Sequence, residues 1–241
     1  MTELPEVILG RGDYAAGGAR SQPFLDLDGA RRRRPLVFGE VMGDPSQCDP
    51  LTAQMFSGRA SDPCEWAVMW KEVGADGVCV RTRGMSPEDS ADVVRRISDR
   101  TRLPVAVDCD ADSLDAVASA VTDSVMILLG ADSAPGSHVC APETAGGRMA
   151  LVRGRFPDPE PYASMRGMRS RGLEGDGSSS MPIVFDATPV WEDAFADARA
   201  ASMVEAESAL AAMLSGADVI IVRGPGAADM ARVYGEELAD L

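Results

Sequence analysis

Acidic, arginine and hydroxyl side chains follow several of the short apolar runs in this sequence. Asp108 and Asp110 close one run, Asp186 and Thr188 follow another, and Arg223 follows the last. Asp108 and Asp110 are two positions apart, so within a strand they would point to the same side. Such a pair of carboxylates could perform acid–base chemistry, whereas Asp110 alone could instead cap the next helix.

Other apolar runs end in comparable side chains. These further candidates are Glu40, Arg81, Thr82 and Arg153. A mixture of acids, arginines and hydroxyls suits a polar ligand or a protein surface better than an apolar ligand. The sequence indicates no catalytic residue, because its single histidine, His138, has no serine or cysteine partner recognisable by spacing.

Cysteine usage and charge narrow the classes of function. The five cysteines form no CxxC pair and are odd in number, which is typical of reduced thiols in a cytoplasmic protein. We therefore expect no metal site and no iron–sulfur cluster on this chain. The formal charge of −15 repels nucleic acid and anionic membranes as partners. We also expect no signal peptide and no membrane-spanning segment.

Seven short, nearly continuous apolar runs predict strands covered on both faces, as in a parallel sheet. They lie at 36–42, 77–83, 104–110, 124–130, 148–154, 181–188 and 218–224, with a weaker candidate at 138–143. Amphipathic or alanine-rich segments predict helices. These lie at 61–75, 85–101, 113–121, 191–217 and 225–238. The alternation of strands and helices predicts right-handed βαβ units.

Seven strands and one weaker strand predict an α/β fold, a TIM-type (β/α)₈ barrel. An open doubly wound sheet is the alternative. The segment 131–147 has no helical periodicity, so we expect a trimmed barrel whose crossover helices are missing there. Residues 1–35 should form an N-terminal flap, and residues 36–241 the barrel domain. The Arg31–Arg34 run in the flap is typical of a solvated turn.

The carboxyl ends of parallel strands lie at one mouth of a barrel, so the candidate site should gather there. Its predicted members are Asp108, Asp110, Asp186, Thr188 and Arg223.

A series of different short motifs also occurs along the chain in a particular order. They are Gly17-Gly18, Pro23-Phe24, Asp28-Gly29, Pro35, Phe38-Gly39-Glu40-Val41, Asp62-Pro63, Trp66, Gly74-Ala75-Asp76, Leu128 to Gly130, Tyr162, Met165, Arg169, Gly172 to Asp176, Met181-Pro182-Ile183, Gly216-Ala217-Asp218, Arg223 and Pro225. In this order they resemble the small (delta) subunit of the corrinoid iron–sulfur protein, part of the acetyl-CoA decarbonylase/synthase complex. The chain looks like a shortened, divergent member of that family.

The resemblance implies an accessory barrel that pairs with a large subunit carrying an iron–sulfur cluster and most of a corrinoid site. It implies a role in methyl transfer in the reductive acetyl-CoA (Wood–Ljungdahl) pathway, with a methyltransferase as a second partner. On this interpretation the five predicted site residues contact the corrinoid, a cobalt cofactor. The isolated chain would bind no corrinoid and would form a heterodimer with the large subunit.

Two alternatives stay open at this point. One is a pterin-dependent methyltransferase barrel, in which Asp108 and Asp186 bind the pterin ring. The other is a diverged paralogue with a structural or regulatory role and no corrinoid. A pterin pocket needs a complete rim, and the predicted rim is thin between residues 130 and 148, so this region separates the alternatives.

Overall fold

The centre of the computed structural model is a closed barrel of eight strands, which confirms the predicted TIM-type architecture. Residues 4–22, 32–129, 138–140, 148–193, 195 and 197–240 are described, with the backbone alone at 138–140 and 148. The barrel strands are β3 (Leu36–Met42), β4 (Gly77–Arg81), β5 (Val105–Asp108), β6 (Ile127–Leu129), β7 (His138–Cys140), β8 (Arg148–Arg153), β9 (Ile183–Asp186) and β10 (Val219–Val222). They neighbour one another in chain order, and β10 closes the barrel against β3.

Strand β7 is antiparallel to both of its neighbours, whereas the other neighbouring strands pair in parallel. This differs from the expected fully parallel barrel. A parallel crossover needs a dozen or more residues, and only 130–137 and 141–147 separate β7 from β6 and β8. The short spacing therefore accounts for the reversed strand. Within the segment 131–147, residues 138–140 form β7 at the place of the weaker predicted strand, and the rest of the segment lies outside the described residues.

The helices lie outside the barrel and follow the strands. They are α1 (Pro50–Met55), α2 (Pro63–Val73), α3 (Pro87–Thr101), α4 (Leu114–Ala120), α5 (Glu160–Leu173), α6 (Ala198–Leu214) and α7 (Pro225–Ala239). The predicted helix 191–217 is shorter because Asp197 caps α6 by accepting the Ala200 N–H. Helix α5 was not predicted, since prolines surround its beginning and glycines interrupt its pattern.

Alternating side chains on the strands build two apolar layers. Phe38, Cys79 and Val184 belong to the cluster inside the barrel. Their neighbours, such as Val37 and Val78, join the cluster between the strands and the helices. This period of two also fixes which later residues of each strand point inward, so it decides the composition of the barrel mouth.

An N-terminal hairpin covers the end of the barrel where the strands begin. Strands β1 (Glu6–Leu9) and β2 (Tyr14–Gly17) pair antiparallel, and Val7 on β1 joins the interior cluster. Gly10 exchanges backbone hydrogen bonds with Val125, just before β6. The hairpin therefore leaves the opposite end, where the parallel strands end, uncovered by these residues. The division of the chain at residue 35 stays a prediction.

None of the helices within the described ranges is long and apolar enough to cross a membrane.

Candidate functional site

Charged side chains gather at the mouth of the barrel where the parallel strands end. They continue the inward-facing positions of six strands, two residues beyond an interior apolar side chain. Glu40 follows Phe38, and Arg81 follows Cys79. The same spacing brings in Asp108, Arg153, Asp186 and Arg223. The packing of the core therefore directs these charges toward one another.

Arg81 is the centre of the network. Its Nε donates to Glu40 Oε1 at 2.9 Å, Nη1 to Asp108 Oδ2 at 2.9 Å, and Nη2 to Asp186 Oδ2 at 2.8 Å. Nη2 also donates to Thr188 Oγ1 at 3.1 Å. The side chain of Arg81 is 10% exposed, and those of its three acids are 1–5% exposed. One buried guanidinium thus joins strands from opposite sides of the barrel.

These contacts shift the protonation equilibria of both partners. Burial alone would raise the pKa of Asp186, but the charges of Arg81 and Arg153 outweigh it and hold the pKa below its ordinary value. Burial would lower the pKa of Arg81, but the surrounding acids raise it well above its ordinary value. Asp186 and Arg81 are therefore ionised at neutral pH.

Two further arginines lie over the same acids on the solvent side. Arg153 donates through Nη2 to Asp108 Oδ2 at 2.9 Å and through Nε to Asp186 Oδ2 at 3.2 Å. Arg83 donates through Nε to Asp108 Oδ1 at 2.7 Å. Their side chains are 36% and 35% exposed. Asp108 and Asp186 therefore lie between the buried Arg81, on the interior side, and the partly exposed Arg83 and Arg153, on the solvent side.

Arg223 forms the other side of the network. It donates through Nε to Glu40 and through Nη1 to Asp49 Oδ2 at 3.2 Å. The Trp191 ring centre lies 6.0 Å from its guanidinium carbon. Asp49 also caps α1 by accepting the Thr52 N–H. The first helix is therefore linked to the site through this arginine.

A buried acid on α6 holds the backbone at the end of the last strand. Glu205 is 0% exposed, and its two carboxyl oxygens accept the N–H groups of Arg223 at 2.7 Å and Gly224 at 2.8 Å. Burial raises the pKa of Glu205 to about 8, although these two donors oppose the shift. The carboxyl group fixes the turn from which the Arg223 side chain extends.

Four of the five predicted site residues meet in this network: Asp108, Asp186, Thr188 and Arg223. Thr188 donates its hydroxyl to Asp186 Oδ1 at 2.7 Å. Asp110 does not join them, because its carboxylate accepts the Gly84 N–H at 2.7 Å in the loop after β4. It begins a short helical turn without capping it through its side chain. The assignment of these residues to a cofactor stays a prediction.

Of the further candidates, Glu40, Arg81 and Arg153 lie in the network. The remaining one, Thr82, is buried with no hydrogen-bond partner for its hydroxyl among the described residues.

Sequence reasoning missed three contributors: Arg83, Asp49 and Glu205. Arg83 continues the period of two from Arg81, so the strand pattern contained a signal for it. Glu205 occupies the buried face of α6 between Ala201 and Ala209, at the spacing of successive helical turns. The signal for Glu205 was an acidic residue at the helical spacing of two alanines, on the face of α6 that is buried.

The network is balanced in charge and poor in free reactive groups. Four arginines, Arg81, Arg83, Arg153 and Arg223, face four acids, Glu40, Asp49, Asp108 and Asp186. The thiol of Cys79 lies in the barrel interior, and burial raises its pKa, so it stays protonated. What the arrangement offers is a set of buried carboxylates that accept N–H donors from flat cations. This chemistry suits recognition of a ligand more than proton transfer.

Comparisons with known proteins show which class of fold this is. No family model matches the sequence, and no curated protein matches it. Solved structures of dihydropteroate synthase match the barrel. The enzyme from Thermus thermophilus in complex with 4-aminobenzoate has a TM-score of 0.53 and 14% identity, covering 98% of this chain and 100% of that chain. The enzyme from Vibrio fischeri has a TM-score of 0.54 and 12% identity, covering 98% and 99%.

A third match is dihydropteroate synthase from Yersinia pestis with a sulfonamide drug. It has a TM-score of 0.52 and 12% identity, and the match covers 90% of this chain and 97% of that chain. These similarities establish the TIM-type barrel, at identities too low to carry more than the fold.

The resemblance to the small corrinoid iron–sulfur subunit is wrong, because the structural neighbours are consistently dihydropteroate synthases. Some of the motifs behind it are common helix signals, whereas Pro23-Phe24 and Asp28-Gly29 lie outside the described residues. Asp62 caps α2, and Gly74 ends the same helix with φ 88°. Gly216, with φ 97°, follows the end of α6. Such residues are common in chains that alternate strands and helices, so their order reports the fold class more than the family.

The corrinoid, the large subunit and the methyltransferase partner depended on that resemblance. They stay untested, as does the cytoplasmic location, and none of the contacts in the mouth adds support for them.

Proposed function

We propose that the mouth of this barrel binds a small heterocycle of the pterin class. The observation that carries the proposal is the position of Arg153. Its flat guanidinium lies between the buried carboxylates of Asp108 and Asp186 and donates one N–H to each. A pterin ring is also flat and delocalised, and it carries an amino group beside a ring N–H. Such an edge offers the same carboxylates equivalent donors.

A ligand has to replace one of the arginines to reach these acids. Arg81 is buried beneath them and contacts three acids, so its removal would leave several buried charges unpaired. Arg153 is more than one-third exposed, and its side chain can turn outward into solvent without that penalty. The ligand edge then takes the place of the Arg153 guanidinium, and Arg81 stays paired with both carboxylates.

The structural comparisons support the same ligand class. Dihydropteroate synthase, the protein that recurs among the neighbours, is named for a pterin product. The alternative predicted from the sequence, a pterin-dependent methyltransferase, also uses this ligand class. The proposal is limited to the binding step that both activities share, and methyl transfer stays a prediction.

Asp186→Asn is expected to weaken binding of 6-hydroxymethylpterin about tenfold or more. A hydrogen bond to a charged group contributes about 1.5–3 kcal/mol, and about 1.4 kcal/mol corresponds to a tenfold change in affinity. The measurement is a titration that follows the ring's own fluorescence. A thermal melt of each variant reports whether the fold is retained.

The matched control is Asp123→Asn. Asp123 is an exposed aspartate before β6, at the other end of the barrel, where it pairs with Arg11 at 2.8 Å. We expect this variant to bind like the wild type. Equal affinities for the wild type and a folded Asp186→Asn protein would contradict the proposed site.

A second candidate function is a structural or regulatory barrel that binds no small molecule. One observation favours it: both oxygens of Asp108 and of Asp186 already accept hydrogen bonds from the protein. On this account the ion pairs close the mouth permanently. The wild-type titration separates the two functions, since a barrel of this kind leaves the fluorescence of the pterin unchanged.

A further inference from the structure

The turn after β10 has the geometry of an anion site that is already filled. In TIM-type barrels a phosphate group frequently binds at the loops after the last two strands, near the N-terminus of a helix. Backbone N–H groups and the helix dipole attract the anion there. In this chain the corresponding donors are the N–H groups of Arg223 and Gly224, immediately before α7.

Glu205 occupies the position in front of these donors. Its two oxygens accept both N–H groups, at 2.7 and 2.8 Å, and the side chain is completely buried. The N-cap residue of α7 is Gly224, which has no side chain with which to cap the helix. The carboxyl group from α6 thus holds the two backbone N–H groups that immediately precede α7.

The space around this contact is tightly packed. A Cβ atom added to Gly224 would lie 2.4 Å from Ser202 Oγ and 3.1 Å from Glu205 Oε2. The adjacent Arg223 guanidinium is engaged by Glu40 and Asp49. A phosphate group would therefore find its backbone donors occupied and the adjacent arginine neutralised.

We propose that Glu205 is a specificity-determining residue, which fills the phosphate position and selects a mouth ligand that carries no phosphate group. The inference rests on the proposed function for the identity of the ring, but the occupied phosphate position is a property of the chain itself. The site thereby takes an unphosphorylated pterin-class compound rather than its phosphate or diphosphate ester.

The first test uses the wild-type protein. We expect 6-hydroxymethylpterin to bind at least as tightly as its diphosphate ester, measured by the same fluorescence titration. The inference would be overturned if the diphosphate ester bound tenfold or more tightly than 6-hydroxymethylpterin itself. This comparison needs no variant, so it does not depend on how well a substituted protein folds.

The second test uses inorganic phosphate without any pterin. Glu205→Ala opens the space in front of the two N–H groups, and we expect phosphate to raise its melting temperature with at least tenfold higher affinity than for the wild type. Glu205→Gln keeps the volume of the side chain and should gain no phosphate site. Glu207→Ala, at an exposed position of the same helix, is the control for general effects on α6.

The two tests fail in distinguishable ways. If neither pterin compound binds, the proposed function is wrong, and the phosphate titration alone decides the role of Glu205. If the wild type binds phosphate as tightly as Glu205→Ala does, the position is not filled and the inference is wrong. If Glu205→Ala gains no phosphate binding although it folds, the carboxyl group serves only to hold the turn before α7, and the inference is wrong.

Discussion

Replacement of Arg81 by leucine is expected to lower the free energy of unfolding by about 3–5 kcal/mol. The guanidinium donates to Glu40, Asp108 and Asp186, whose side chains are nearly inaccessible to water. Removing one partner of a buried ion pair leaves the others as uncompensated charges, which costs more than the pair itself contributes. The measurement is equilibrium unfolding in urea, followed by circular dichroism.

The loss in the Arg81 variant should depend on pH. In the wild type the depressed pKa of Asp186 contributes stability above its ordinary titration range, and this contribution is lost as the pH falls. In the variant Asp186 loses a charge that depresses its pKa, so it takes up a proton at a higher pH and acidic conditions relieve its repulsion with the neighbouring acids. We therefore expect the difference between the two proteins to shrink toward low pH.

Arg95→Leu is the matched control for this experiment. Arg95 is 53% exposed on α3 and pairs with Asp92 three residues earlier. Such a surface pair contributes about 0–1 kcal/mol. If Arg81→Leu also lowered the free energy of unfolding by less than about 1 kcal/mol, the ion pairs of the mouth would not hold the strands together.

The second large effect is expected at the opposite end of the barrel. Arg169 on α5 is 2% exposed and forms a buried ion pair with Asp218. It also donates to the carbonyl oxygens of Gly216, at 2.6 and 2.9 Å, and of Met181, at 2.9 Å. Arg169→Leu should lower the free energy of unfolding by about 3–5 kcal/mol, because it leaves a buried carboxylate and two carbonyls with lost donors.

The Arg169 variant also separates stability from ligand binding. Since the pair lies where β9 and β10 begin, the folded fraction of Arg169→Leu should bind the pterin with wild-type affinity. Arg199→Leu, at an exposed position of α6, should change stability by no more than about 0.5 kcal/mol. A folded Arg169 variant with tenfold weaker binding would mean that the two ends of the barrel are coupled.

The barrel and much of its mouth could be predicted because both depend on local periodicity. Continuous apolar runs indicated the seven parallel strands, and the period of two places Asp108 and Asp186 after inward-facing residues. The same reasoning brought Arg223 to the mouth. These features need only the alternation along single strands, which a sequence contains directly.

Features that depend on distant partners were not predictable in the same way. Asp110 has the spacing of an inward-facing residue, but β5 ends at Asp108 and the backbone turns away. The reversed direction of β7 follows from the length of its connections, which the apolar pattern does not describe. Glu205 reaches the site from a helix, so its role becomes visible only when α6 packs against the end of β10.

The choice of family failed for a related reason. Capping residues and turn glycines are required by local backbone geometry in any barrel of alternating strands and helices. A matching order of such residues therefore carries information about element order and little about the ligand. The contacts among charged residues at the mouth carry the functional information, and these join residues far apart in the sequence.

A bound pterin ring should take the place of the Arg153 guanidinium between Asp108 and Asp186. The decisive measurement is a crystal structure of the protein grown with saturating 6-hydroxymethylpterin. We expect density for the ring between the two carboxylates, with the Arg153 side chain turned outward and Arg81 unmoved. A mouth in which Arg153 still bridges the two acids, with no density for the ring, would contradict it.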